Sequence, residues 1–294
     1  MIEYADAPLV AAQPDVLAWF STNGRDLPWR RERDPWSIMV AELMLQQTQV
    51  ARVTDRWPRF LRRFPSAVAC ADAPRADVID EWAGLGYNRR AVNLHRAAEA
   101  IRDDHGGVVP DGLTELLALP GIGAYTARAV RAFAFELDDG VLDTNVARIL
   151  ARSGGVALSG RPAQALADAA VPEGFGWAWN QAVLDVGALH CRARKPLCDG
   201  CPLAAVCVWS VAGRPEPDPA NGSAGVSKPQ SRFEGSDRQG RGRLVDALRS
   251  GSVAVADLPE VMGWPDQPDR AQAVAAGVVT DGLARRNGDT LTLG

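Results

Sequence analysis

Two carboxylic acids, a pair of glycines and four cysteines carry the chemical potential of this chain. Glu42 sits in a run whose apolar positions, Trp36, Val40, Leu43, Met44 and Val50, recur at helical spacing. By spacing alone such a glutamate belongs on the polar side of an amphipathic helix. Set among the apolar residues instead, its carboxyl would favour the protonated form and serve as a general acid. Asp143 follows in the stretch Val141-Leu142-Asp143-Thr144-Asn145-Val146. Ahead of it, Leu119-Pro120-Gly121-Ile122-Gly123-Ala124-Tyr125 places two glycines around one apolar residue, between two helical patterns. A turn of this kind takes backbone conformations that a side chain forbids and leaves N–H groups bare at a helix start, where a phosphate can be held. Gly-x-Gly alone fits an ordinary tight connection better. The preceding Leu-Pro and the small residues Ala127, Ala129, Val130 and Ala132, which let the next helix pack closely, favour the phosphate.

The cysteines form Cys191-x6-Cys198-x2-Cys201-x5-Cys207, a compact loop that can close around one centre. Four thiolates suit either zinc or an iron–sulfur cluster. Spacing does not separate the two, although zinc sites more often show two short Cys-x2-Cys pairs. Cys70, alone in an Ala-rich helical context, reads as a buried thiol.

These groups need a scaffold. With 294 residues, 47% of them hydrophobic, the chain can bury one large core or two modest ones, with room for a small extra module. The start of the sequence lacks a secretory pattern and no apolar stretch is long enough to span a bilayer, so the expectation is a cytoplasmic protein without disulfides. Thirty-two Lys and Arg against 36 Asp and Glu leave a formal net charge of −4, which by itself argues against a polyanionic partner. Distribution outweighs the sum, however, and arginines gather at Arg25–Arg33, Arg52–Arg63, Arg192–Lys195 and Arg232–Arg249.

The periodicity predicts helices up to about Asn23, from Pro35 through about Val50 behind an Asp34 cap, over Asp77–Trp82, and over Arg89–Ile101, where His95 is structural. After Trp209 the Pro- and Gly-rich composition reads as a flexible linker. In the tail, Arg243–Leu248, Val255–Met262 and Ala271–Leu283 read as helices, and Arg286-Asn287-Gly288-Asp289 as a turn before Thr290–Leu293. Three helices and a terminal hairpin suggest a small winged-helix-like module.

The Gly121–Gly123 turn, with Asp143 shortly after its second helix, resembles the helix-hairpin-helix of DNA repair glycosylases. Glu42-Leu43-Met44-Leu45-Gln46-Gln47-Thr48-Gln49-Val50 is similar to the signature of the A/G-specific adenine DNA glycosylases, the MutY family. The similarity continues through Gly84-Leu85-Gly86-Tyr87, Asn93-Leu94-His95, Leu142–Val146, Asn180-Gln181-Ala182 and the cysteine loop, covering about Leu27 to Cys207. The resemblance implies that Glu42 is the acid, Asp143 the carboxylate that stabilises the sugar cation, and Asn145 its orienting partner, with Tyr125 beside the sugar. Gln181 would help bind the base, and Gln47, Leu85 and Tyr87 would wedge into the duplex where a base leaves the stack. It further implies that Cys191, Cys198, Cys201 and Cys207 hold a 4Fe–4S cluster, and that Arg30, Arg192, Arg194 and Lys195 join Gly121 and Gly123 in contacting DNA. The family's usual C-terminal domain is larger and Nudix-like, so the chain departs from it in the tail.

The expected architecture is all-α: a two-lobed helix-hairpin-helix glycosylase fold with a cluster loop and a small C-terminal winged-helix-like module. Residues 1–28 and 138–211 would form the cluster lobe, 29–137 a six-helix domain with the hairpin, 212–231 a linker and 232–294 the module. The site would lie between the lobes. The expected partner is double-stranded DNA with A:8-oxoguanine or A:G mispairs, bound by a monomer. An endonuclease III-like glycosylase/lyase is an alternative, but that family carries a lysine where this chain has Tyr125. A non-catalytic cluster-bearing DNA-binding module is the other, and retention of both Glu42 and Asp143 argues against it. The tail segment Lys228–Arg249 is its most basic stretch and is expected to meet DNA on the side away from the catalytic cleft.

Overall fold

The computed structural model describes residues 8–226 and 231–294. In chain order the first helices are α1 (Pro8–Ala11), α2 (Gln13–Asn23), α3 (Pro35–Leu45), α4 (Val50–Arg63), α5 (Ala67–Ala71), α6 (Arg75–Glu81), α7 (Arg89–Asp104) and α8 (Leu113–Ala118). They are followed by α9 (Ala124–Ala134), α10 (Thr144–Gly154), α11 (Gly160–Ala169), α12 (Gly176–Leu189) and α13 (Val208–Val211). The tail carries α14 (Asp237–Ser250), β1 (Val253–Ala254), α15 (Leu258–Met262), α16 (Pro268–Thr280), β2 (Ala284–Asn287) and β3 (Thr290–Leu293). The chain divides into two compact units, one of Met1–Pro35 with Gly123–Pro229, the other of Trp36–Ile122 with Gln230–Gly294.

These boundaries differ from the expected ones at 28/29 and 137/138. The chain passes from one unit to the other inside the hairpin turn, because α9 packs on α12. In that first unit, α10 offers Val146, Ile149 and Leu150 to Trp179, Val183 and Val186 of α12, with Leu9 and Val16 completing the core. Each such side chain contributes about 1.5–3 kcal/mol by leaving water.

In the second unit the core runs through Phe60, whose ring lies 4.9 Å from that of Phe64 and 6.1 Å from that of Trp82. Helix α3 is buried on all sides, at Trp36 and at every position from Ile38 to Met44. It stops at Leu45 rather than running on to Val50, and Gln47 takes a left-handed φ of 55°. The tail belongs to this unit and does not stand apart. Arg249 donates to the Ile79 carbonyl at 3.1 Å, and Asp281 pairs with both Arg89 and Arg241. Its strands form one antiparallel sheet in the order β1-β3-β2, and the pairing of Asn287 with Thr290 leaves Gly288-Asp289 as a two-residue turn. Gly288 supplies the positive φ, 60°, that a tight hairpin turn of this kind needs.

The stretch from Gly213 to Val226 is ordered, where a flexible linker was expected: Ala220 and Ser223 are buried in it. Lys228 lies outside the described residues.

Candidate active site and cluster loop

Asp143 is fixed by the helix it starts. As the N-cap of α10 it accepts the Asn145 N–H at 2.8 Å and the Val146 N–H at 2.7 Å on one carboxylate oxygen. The Asn145 side-chain amide donates to the other at 2.8 Å. Burial pushes the carboxyl up from its ordinary value, and these bonds together with the Arg148 charge offset only part of the rise.

Arg148 ties this carboxylate's support to the cysteine loop. Its guanidinium donates to Asn145 Oδ1 at 2.8 Å, to the Gly187 carbonyl at 2.9 Å, and to the Cys191 carbonyl. Gly187 makes the arrangement possible, since a Cβ there would stand 2.5 Å from the Asn145 Cβ. The segment leading to Asp143 is held by Asn180, whose side chain accepts from Val141 N at 2.8 Å and donates to the Asp139 and Gly176 carbonyls. Gln181 is buried beside it on α12, and Tyr125 lies half-buried at the second position of α9.

Glu42 occupies the middle of α3 and is 4% exposed. The polar-face placement that spacing favoured is therefore wrong: α3 has no polar face, and its one carboxyl is enclosed with the apolar residues.

Gln47 and Tyr87 stand on two loops of the same unit, and both take left-handed backbone conformations, with φ 55° and 46°. Strain of this kind costs about 1–3 kcal/mol per residue and persists only where the surroundings enforce it. Arg90 does the enforcing. Its buried guanidinium donates to the carbonyls of Leu43 (2.7 Å) and Met44 (3.0 Å) in the last turn of α3, of Gln46 (2.6 Å) in the loop after it, and of Leu85 (3.2 Å) and Gly86 (2.9 Å) in the other loop, as well as to Thr48 Oγ1 (3.0 Å). Burial lowers its pKa to about 10. Sequence reasoning missed this residue, because an arginine on the first turn of a helix reads as surface. Tyr87 is 42% exposed, whereas Leu85 is 2% exposed, though it lines the same cleft as Gln47 and Tyr87.

The hairpin glycines do different work. Gly121 has a φ of 79°, and a Cβ there would meet Asn93 at 2.6 Å, so only glycine fits. Gly123 is the extended cap of α9, with open space where a Cβ would stand. Arg30 is not a surface contact. It is buried and grips Asp185 with two bonds of 2.8 and 2.7 Å, and the fully buried Asp185 also receives Arg25. Arg192, Arg194 and Lys195 are exposed, as a polyanion-facing loop requires. His95 bonds the Ala73 carbonyl at 3.0 Å, and burial pushes the Cys70 thiol up to about 12, so both are structural.

All four cysteines of the loop are free of disulfides and line one pocket with Ile149, Arg152 and Trp209. Burial and the neighbouring sulfurs push the Cys201 thiol up to about 12 and raise Cys207 as well. Four sulfurs around one pocket are the donor set that a metal cluster takes.

The tail turns toward the Gln47 and Tyr87 loops. Phe233, Arg238, Arg241 and Gly242 line the same cleft as Gln47, Tyr87 and Arg89, a space of about 960 Å³. The Arg249 and Asp281 contacts hold the tail there.

A helical fold with this hairpin, an aspartate capping the helix after it and a four-cysteine loop defines a base-excision repair glycosylase. Residues 40–171 match the HhH-GPD superfamily base excision DNA repair proteins, and residues 191–207 the iron–sulfur binding domain of endonuclease III. The chain is 40% identical to an adenine DNA glycosylase of Mycobacterium tuberculosis, over 96% of this chain and 93% of that protein. It is 38% identical to one of Mycolicibacterium smegmatis, over 94% and 93%. Among solved structures it resembles a thermostable thymine-DNA glycosylase, with a TM-score of 0.68 and 28% identity over 71% of this chain and all of that one. An endonuclease III–DNA complex shares the fold, with a TM-score of 0.62 and 22% identity over 72% of this chain and 99% of that one. The chain belongs to the adenine DNA glycosylase family of the HhH-GPD superfamily. It carries that superfamily's iron–sulfur loop.

Proposed function

We propose that the protein hydrolyses the N-glycosidic bond of adenine mispaired with 8-oxoguanine or guanine in duplex DNA. The observation that carries this reading is the burial of Glu42 within α3 of a chain 40% identical to adenine DNA glycosylases. Neither the glycosidic bond nor the ring nitrogen is reachable inside the base stack, so the adenine has to be extruded, with Gln47 and Tyr87 filling the gap. Glu42 gives its proton to the purine ring, and the electron pair of the breaking N–C1′ bond leaves with the adenine. Asp143 stabilises the positive charge that develops on the sugar, as the second carboxylate does in glycoside hydrolysis, until water adds at C1′. The two carboxyls are held differently: Glu42 is buried within α3, whereas Asp143 accepts three N–H bonds that offset part of the rise burial causes.

Asn145 and Arg148 orient Asp143, Gln181 holds the base and Tyr125 flanks the sugar. A tyrosine offers no amine for a Schiff base, so the product is an intact strand with an abasic site. Gly121, Gly123, Arg192, Arg194 and Lys195 bind the DNA backbone. The cluster's role is to shape the basic loop around the four cysteines.

Single-turnover excision on matched duplexes tests the reading. Adenine release opposite 8-oxoguanine and guanine, with none opposite thymine, is the expected result; release of an oxidised pyrimidine accompanied by strand cleavage would overturn it.

A further inference from the structure

The ordered strap from Gly213 to Val226 is tied down along its length. Trp209 Nε1 donates to the Pro215 carbonyl at 2.8 Å. Leu158 donates its N–H to Ser223 Oγ at 3.0 Å and accepts from Ala224 N at 2.8 Å. Gly225 comes so close to α10 that a Cβ would stand 2.9 Å from the Ala147 Cβ.

At the middle of the strap, Asp218 takes the Arg152 guanidinium by Nη2 at 2.6 Å and by Nε at 3.1 Å. Arg152 is 2% exposed. Its remaining nitrogen, Nη1, donates to Cys191 Sγ at 3.4 Å and to the Arg192 carbonyl at 2.8 Å, and the guanidinium plane lies 4.7 Å over the Trp209 ring. A buried guanidinium stays charged and has to be compensated. Here its compensation is a carboxylate on one edge and the sulfur of a cluster ligand on the other. Burial pushes the Asp218 carboxyl up, but the Arg152 bonds and the Ala220 N–H hold it below the usual range, so it is ionised.

We propose that Asp218 and Arg152 form a charge couple that sets the reduction potential of the iron–sulfur cluster through Cys191. Hydrogen bonds to the sulfurs and local net charge are what tune such potentials. The Arg152 donor and its positive charge draw electron density from the Cys191 thiolate and so favour the more reduced state, raising the potential. The Asp218 carboxylate fixes the guanidinium in place and tempers its charge, lowering it.

The two partners therefore have opposite signs. In the full-length, cluster-loaded protein, Asp218→Asn, which keeps the shape and removes the charge, shifts the potential upward in voltammetry. Arg152→Gln, which removes the donor and leaves the carboxylate uncompensated, shifts it downward. Iron content and cluster absorbance, measured on the same samples, restrict the comparison to loaded protein. A purely structural strap would lower iron content in both variants and leave the potential of the loaded fraction at the wild-type value, which would overturn the proposal, as would shifts of the same sign. If Arg152→Gln fails to hold iron, Asp218→Asn alone decides: an upward shift supports the couple, and an unchanged or lowered potential refutes it.

Discussion

In the proposed mechanism Glu42 and Asp143 take the two tasks of glycoside cleavage, and each role gives a distinct expectation. Glu42→Gln keeps the side-chain shape but has no proton to give. Single-turnover excision should fall about 10²–10⁴-fold while DNA affinity is retained; near-wild-type excision would remove Glu42 from the mechanism. Asp143 has to be ionised to stabilise a cation, and its carboxyl is raised by burial. Excision should therefore lose activity on the acid side at a higher pH than an ordinary aspartate would give. The same shift has a stability sign. Because the folded-state value lies above the unfolded one, the ionised form is destabilising, a cost absent below the unfolded value that grows as pH rises through the folded one. Asparagine caps a helix about as well as aspartate. Asp143→Asn should thus abolish excision while leaving unfolding free energy at pH 7 equal to or above wild type, measured by denaturant titration. A loss of more than about 1 kcal/mol would mean that the carboxylate's bonds outweigh its desolvation.

At the level of elements, the loops after α3 and before α7 have no regular structure of their own, and Arg90 is what gives them one shape. Arg90→Met should destabilise the protein by about 2–3 kcal/mol, since buried carbonyls lose their donors. Excision should fall with it. Arg90→Lys should rescue little, because a compact ammonium lacks the planar fork that reaches both loops at once. Chemical denaturation and single-turnover excision on both variants check this, and full rescue by lysine would show that charge alone suffices. The cysteine loop is an element of the same kind, with almost no helix and four free thiols. Cys198→Ser should give colourless, poorly folded protein, and stoichiometric zinc in anaerobically prepared wild type would contradict a cluster.

For the whole molecule, the tail has two roles that the chain separates at Val226. Residues up to there strap the cluster loop; those from Ser231 onward form the module that shares a cleft with Gln47 and Tyr87. A chain ending at Val226 keeps Asp218 and the cluster, so excision at saturating enzyme should survive. Affinity should drop, and its log–log salt dependence should flatten by about 0.9 for each DNA phosphate that the module neutralises. Unchanged affinity and slope would show that the module does not meet DNA.

The sequence by itself determined much of the local structure. The Gly121 turn, the cap at Asp143, the four-cysteine loop and the Gly288 hairpin are all local, fixed by a few adjacent residues whose backbone preferences or side chains leave little choice. It did not determine which charges are surface and which are internal. Arg30, Arg90, Arg148 and Arg152 look alike in the sequence, yet each is buried against partners between 39 and 155 residues away. Only tertiary packing decides that Arg30 belongs to Asp185 and not to DNA, that Glu42 is enclosed and not on a polar face, and that the Pro- and Gly-rich stretch is a strap and not a tether. The physical reason is the cost of burying a charge. It is bearable only where distant elements supply a counter-charge or carbonyls together, and that coincidence has no signature in any one segment of the chain.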